Sequence, residues 1–188
     1  MTRLFPALLL SSLALLAQAS LAETEVYGGA GIGYSTFQID SIDFEGADVA
    51  VRQFIGLNYG DYVGVEFGYV DFGSVNDQVV LDVVEGSIND SIESWGYELA
   101  VIGRYPINQE LDAFGKVGLL RWDSESTLET FPLPTKQDGD DLIWGIGLDF
   151  RGSGRFHARV QADFLDVGFA NSWWVLTASA YYAIPLGR

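Results

Sequence analysis

The most constraining feature of the sequence is a two-residue alternation between apolar side chains and polar or small ones. The stretch Tyr62–Gly73, YVGVEFGYVDFG, has apolar residues at every second position and places Glu66 between two glycines on the opposite face. This period is typical of a β-strand with one apolar face, and no segment shows a convincing helical period. The alternation predicts eight strands: Glu25–Ile39, Asp48–Tyr59, Tyr62–Ser74, Ile92–Tyr105, Leu111–Ser124, Asp141–Arg151, Phe156–Val167 and Trp173–Ile184.

The connections between these strands alternate in length. The even ones are tight: Gly60–Asp61, Pro106–Glu110 and Gly152–Arg155. The odd ones are longer, except for the seventh: Asp40–Ala47, Val75–Ser91, Glu125–Asp140 and Gly168–Ser172. Short turns at one end and long loops at the other are typical of a transmembrane β-barrel. We therefore predict an all-β fold, an eight-stranded antiparallel up-and-down transmembrane β-barrel.

The polar face of the strands fits the interior of such a barrel. Eight strands leave a lumen that side chains just fill, so inward glycines make room while inward charges pair with one another. We expect Glu66, Asp149, Arg159 and Lys116 to form such pairs. A soluble barrel, with apolar side chains inside and polar side chains outside, would show the same two-residue alternation. Aromatic residues near the strand ends favour the membrane: Tyr59, Tyr62, Trp95, Tyr105, Trp174 and Tyr182.

The first residues have the pattern of a secretory signal. Arg3 precedes a short apolar run, and small residues lead to a cleavage position after Ala22. We expect residues 1–22 to be removed and residues 23–188 to form the barrel domain. Without Arg3 the chain has nine basic and 26 acidic residues, a formal charge of −17. This charge disfavours nucleic acid, and the absence of cysteine excludes disulfides and thiol chemistry.

Several motifs resemble one known family. In chain order they are GAGIGYS (29–35), YVGVEFGYVDFG (62–73), RYPINQELDAFGKVGLLRWD (104–123), WGIGLDF (144–150) and ARVQADFLDVG (158–168). Together they resemble the membrane domain of the OmpA-like outer membrane proteins. The resemblance implies termini and tight turns in the periplasm and long loops outside a Gram-negative cell.

The resemblance also implies an inner cluster of charges. By position, Glu66, Asp149 and Arg159 match members of that cluster, and Lys116 matches a further inward basic residue. In that family a central basic residue pairs within the gating cluster. The matching position here is the apolar Ile102, and we expect Arg104 to substitute for the missing basic residue. The last strand ends at Ile184 instead of the usual aromatic residue, and the chain stops before any peptidoglycan-binding domain, so we expect no tether to the cell wall.

Three further features have competing interpretations. His157, the only histidine, suits a lipid A-modifying barrel enzyme, but no serine lies beside it on its face. The acidic stretches Asp40–Asp48 and Lys136–Asp141 lack an EF-hand spacing, so we expect no specific metal site. The valine-rich stretch Val75–Asp90 is either an adhesive loop or, as we favour, strands that continue beyond the bilayer.

These observations predict a structural or surface-interaction protein of the outer membrane. We expect no catalysis and no cofactor, a monomer, and contacts with outer membrane lipid and lipopolysaccharide. A surface-loop protein partner is left unidentified. The alternatives are a narrow passive channel gated by lumen charges and, less favoured, a lipid A-modifying enzyme.

Overall fold

A computed structural model describes residues 24–39, 44–80, 87–128, 131–166 and 172–186. The predicted signal segment lies outside these ranges. Eight strands close into one antiparallel barrel in chain order, with β1 paired to β8. Within the described ranges no helix is long and apolar enough to cross a membrane. The strands are β1 (Thr24–Ile39), β2 (Phe44–Tyr59), β3 (Val63–Val80), β4 (Ser87–Pro106), β5 (Leu111–Leu128), β6 (Phe131–Arg151), β7 (Phe156–Asp166) and β8 (Ser172–Leu186).

The predicted strand number, order and direction are confirmed, but several strands are longer than predicted. β3 continues to Val80 and β4 begins at Ser87, so the favoured interpretation of the valine-rich stretch is confirmed for the backbone described there. The predicted loop 125–140 was wrong in extent, because β5 runs to Leu128 and β6 begins at Phe131. β2 likewise begins at Phe44, inside the predicted loop 40–47.

Within the described residues, three ladders end closer to the turn side than the others. The pairing of β2 with β3 ends at Val51 and Asp71, that of β6 with β7 at Leu142 and Asp166, and that of β7 with β8 at Leu165 and Trp173. Beyond these points β3, β4, β5 and β6 continue as a four-stranded sheet, which we call the platform (residues 72–80, 87–95, 120–128 and 131–141).

A bulge in β3 marks the base of the platform. The register of β3 against β4 shifts between Asp71 and Ser74, and Gly73 has a φ of 84°, which glycine adopts without steric cost. The Asp48 carboxylate accepts from the Ser74 amide at 2.5 Å, where the next backbone bond of the β2–β3 ladder would be expected.

The outer wall is apolar between two aromatic belts. On the turn side the exposed rings belong to Tyr59, Tyr62, Tyr105, Phe150, Phe156 and Tyr182. On the loop side the belt comprises Tyr34, Tyr69, Tyr97, Trp144, Phe164 and Trp174. Trp174 and Tyr182 are eight residues apart on β8. At a rise of ~3.3 Å per residue and a tilt of ~40°, this separation gives an apolar band about 20 Å tall, close to that of outer membrane barrels.

Candidate functional site

The barrel interior collects all five side chains that the sequence singled out. Glu66, Arg104, Lys116, Asp149 and Arg159 lie on five different strands, and none is more than 8% exposed. Alternation along each strand places them inward, opposite the apolar wall. Glycines in neighbouring positions leave the space that these long side chains occupy.

Arg159 on β7 forms one half of an ion network. Its Nη1 donates to Glu66 at 2.6 Å, while its Nε and Nη2 donate to the two oxygens of Asp149 at 2.7 and 3.2 Å. Glu66 also accepts from the Tyr27 hydroxyl at 2.9 Å. Fork-shaped pairing of this kind fixes geometry as well as charge.

Arg52 on β2 forms the other half. It contacts Glu66 at 3.0 Å and Asp163 at 3.1 Å, and it pairs with Glu98. Lys116 completes this half by contacting Glu98 and Asp163, each at 2.9 Å. Glu66 joins the two halves, because its two oxygens face different guanidinium groups.

The network is balanced in charge. The basic side chains Arg52, Arg104, Lys116 and Arg159 oppose the same number of carboxylates: Glu66, Glu98, Asp149 and Asp163. Unpaired charges in a low-dielectric interior are very costly, so balance is what allows these residues to be buried together.

Three members of this network were not predicted from the sequence. They are Arg52, Glu98 and Asp163, and the sequence places Glu98 and Asp163 between outward apolar neighbours. Arg52 lies between Val51 and Gln53, which both face outward, so its parity alone indicates that it points inward.

Arg104 lies nearer the turns. Its Nε contacts Asp149 at 3.4 Å, and its Nη1 donates to Asn58. Ile102 is fully buried on the neighbouring inward position. The basic group that faces Glu66 alongside Arg159 is Arg52, and no described contact joins Arg104 to Glu66.

Aromatic rings fill the lumen on the turn side of the network. The Arg159 guanidinium lies 4.6 Å from the ring centre of Phe114, 5.1 Å from that of Phe54 and 5.2 Å from that of Tyr181. Gly56 and Gly147 make room for the rings, since a Cβ at Gly147 would meet Phe114 Cζ at 2.5 Å and one at Gly56 would meet the Tyr27 ring.

An apolar layer closes the lumen on the loop side of the network. The rings of Phe72 and Trp173 lie 4.7 Å apart across this layer. On β2, β3, β5, β6 and β7, each member lies farther toward the loops than the ion-network residue of the same strand. The layer comprises Ala50, Val70, Phe72, Leu120, Trp122, Ile143, Leu165, Trp173 and Val175.

The turn-side end of the lumen is polar. Arg151 donates to the buried Asp112 at 2.6 Å. His157 stacks on Tyr181 with ring centres 5.0 Å apart, and its Nδ1 has no hydrogen-bond partner in the described part of the chain. Lys136–Asp141, interpreted above as an acidic loop, belongs to β6. No group of three His, Cys, Asp or Glu side chains suited to a metal occurs within the described residues.

An apolar band between aromatic belts, together with charges enclosed inside a closed barrel, defines a membrane β-barrel. The family model of the outer membrane protein beta-barrel domain matches residues 5–187, so this chain belongs to that family and is an outer membrane protein. No curated protein matches the sequence.

Solved structures show the same fold at low sequence identity. Ail of Yersinia pestis, in complex with the heparin analogue sucrose octasulfate, is 13% identical with a TM-score of 0.62, covering 86% of this chain and 99% of Ail. Neisserial surface protein A is 12% identical with a TM-score of 0.63, covering 84% and 96%. OprG of Pseudomonas aeruginosa is 16% identical with a TM-score of 0.61, covering 87% and 96%.

Proposed function

We propose that this protein is a non-conducting outer membrane barrel that acts through the surface it presents beyond the membrane. The single observation that carries the proposal is the apolar layer above the charge network. An ion crossing that layer would have to lose its hydration between Phe72 and Trp173, where the one described polar partner, the Ser35 hydroxyl, already accepts a hydrogen bond from Trp173 Nε1.

This layer argues against the alternative of a channel gated by lumen charges. Rearranging the ion pairs around Glu66 would leave the nine apolar side chains in place. The lumen is therefore a packed core that stabilises the wall, and the charges serve to hold opposite strands together.

The platform supplies the interaction surface. Its outward face carries more carboxylates than basic groups, and Asp123 lies directly opposite Asp138 across β5 and β6. The described outward charges are Glu93, Arg121, Asp123, Glu125, Lys136, Asp138 and Asp140. Ail is seen with a polyanion, whereas the acidic platform here favours a basic partner surface.

We propose no catalytic role. His157 stacks on a tyrosine at the turn side of the lumen, and no described hydrogen bond links it to a serine or a carboxylate. Lipid A extracted from cells that express the barrel should keep all its acyl chains. Loss of chains that His157→Ala abolishes would contradict this part of the proposal.

Planar-bilayer recording tests the proposal as a whole. The wild-type barrel should insert without current steps, because the apolar layer remains closed. The double variant Phe72→Ala/Trp173→Ala should open that layer and produce steps, while Phe67→Ala, which truncates a lipid-facing ring, should not. Regular unitary steps from the wild-type protein would overturn the proposal.

Binding measurements test the platform. Barrels in nanodiscs should bind polylysine more strongly than heparin, and added salt should weaken the binding. Asp123→Asn/Asp138→Asn should reduce it, whereas the control Asn108→Ala, at the opposite end of the barrel, should leave it unchanged. Preference for heparin would show that the acidic platform is not the contact surface.

A further inference from the structure

We propose that the barrel interior binds ordered water at one particular place beside the ion network. The water is held by Arg52, Gln161, Thr177 and Ser179, which we call the interior polar site. The proposal goes beyond the function argued above, which requires only that the apolar layer closes the lumen.

Each side chain of the interior polar site has a buried polar atom without a hydrogen-bond partner in the described part of the chain. These atoms are Arg52 Nε, Gln161 Oε1, Thr177 Oγ1 and Ser179 Oγ. None of the four residues is more than 8% exposed. A buried polar group that stays unpaired lowers stability, so each atom requires a partner that the protein does not supply there.

Contacts and strand register bring the four side chains together. Arg52 Nη1 and Gln161 Nε2 donate to the same oxygen, Asp163 Oδ2, at 3.1 and 2.6 Å. Thr177 pairs directly with Gln161 across β7 and β8. Ser179 is two residues farther along β8, so it points to the same side of the strand as Thr177. A small group of water molecules can therefore reach all four unpaired atoms.

Glycines on β1 explain why the two hydroxyls lack a protein partner. Thr177 pairs with Gly33, and Ser179 pairs with Gly31, which in turn pairs with Arg52 on its other side. A Cβ at Gly31 would overlap the Ser179 hydroxyl, so glycine lets this hydroxyl lean over the β1 backbone. Because neither glycine has a side chain, β1 offers the hydroxyls no side-chain donor or acceptor.

The chemistry of the unpaired atoms selects water as the occupant. Arg52 Nε is a donor, Gln161 Oε1 is an acceptor, and the two hydroxyls can act as either. Water both donates and accepts, and buried water molecules make about three hydrogen bonds to groups of this kind. An ion would upset the equal numbers of basic and acidic side chains in the network, so a neutral occupant is favoured.

Apolar side chains enclose the site from both ends of the barrel. Toward the loops, the next inward residue on β8 is Val175 of the apolar layer. Toward the turns, the next inward residues on β8 and β2 are Tyr181 and Phe54, whose ring centres lie 6.1 Å apart. Water held between these two groups of side chains should exchange slowly with the solvent.

Nuclear Overhauser transfer from water to side-chain methyl groups tests the site in wild-type barrels in nanodiscs. The methyl group of Thr177 should receive magnetisation with the sign that a long-lived water molecule gives. The matched control is Val175, which is two residues away on the same strand, is just as buried and belongs to the apolar layer, so its methyl groups should receive none. Equal transfer to both residues, or none to Thr177, would overturn the proposal.

The direction of a stability change provides a second test, because valine has the shape of threonine without its hydroxyl. With water bound, Thr177→Val removes a hydrogen-bonded hydroxyl and should lower the urea midpoint of unfolding. Without water, the same substitution removes an unpaired buried group and would raise the midpoint. Ser153→Ala, at an exposed turn position, is the control and should leave the midpoint unchanged. A raised or unchanged midpoint in Thr177→Val would refute the inference.

Discussion

Removing one member of the interior ion network should lower the free energy of unfolding by more than the loss of its own ion pairs alone. Lys116→Met keeps the length of the side chain but leaves four buried carboxylates facing three basic groups. Glu98 and Asp163 retain Arg52 as a partner, so the loss should fall at the lower end of the range for broken buried pairs, about 3 kcal/mol. Urea unfolding of the barrel from lipid vesicles measures this free energy.

A second substitution separates charge balance from packing. In Lys116→Met/Glu98→Gln the remaining charges are Arg52, Arg104 and Arg159 against three carboxylates, so balance is restored. Most of the lost stability should return, so the double variant should be about 2 kcal/mol more stable than Lys116→Met. Lys136→Met is the control: Lys136 pairs with Glu125, but its side chain is 72% exposed, so no measurable change is expected. A double variant no more stable than Lys116→Met would refute the reasoning.

Three further predictions rest on single positions. Gly56→Ala should lower the free energy of unfolding by about 1–3 kcal/mol, because the added Cβ would meet the Tyr27 ring. The control Gly103→Ala should leave this free energy unchanged, because no heavy atom lies within 4 Å of the added Cβ. Urea unfolding measures both. Asp48→Ala should speed hydrogen exchange at the Ser74 amide, because that amide loses its acceptor. Asp48→Asn keeps an acceptor oxygen and should restore protection. Equal exchange in the two variants would contradict the role of Asp48 as the acceptor for this amide. Tyr27→Phe should cost about 1 kcal/mol by removing the bond to Glu66, measured against a neutral Tyr59→Phe control.

The sequence predicts the wall better than the interior. Alternation along β6 and β8 assigns lipid-facing residues such as Trp144 and Leu176 correctly, because a period of two needs no knowledge of neighbouring strands. Glu98 pairs with Arg52 and Lys116 through contacts that depend on barrel closure and stagger. Residue spacing does not encode that stagger, so the sequence predicts that inward charges pair but not which partners Glu98 contacts.

The extension of the strands into the platform was not predicted from the sequence, for a different reason. Pro132, Pro134 and the aspartates of Lys136–Asp141 have the composition of a loop, yet they belong to β6. Proline is tolerated at an unpaired strand edge, and β6 has no described pairing with β7 beyond Leu142. Charged side chains on an edge strand also protect it from pairing with other chains, so loop-like composition is what an exposed edge requires.

The central claim is that lipid surrounds the apolar face while the opposite face is enclosed. Trp173 and Trp174 test it most directly, because they are consecutive on β8, with Trp173 only 4% exposed and Trp174 37% exposed. Two single-tryptophan barrels, with the other tryptophans changed to phenylalanine, are reconstituted in lipids brominated along the acyl chains. Strong quenching of Trp174 and weak quenching of Trp173 is the expected result. Equal quenching of the two, or stronger quenching of Trp173, would contradict the account.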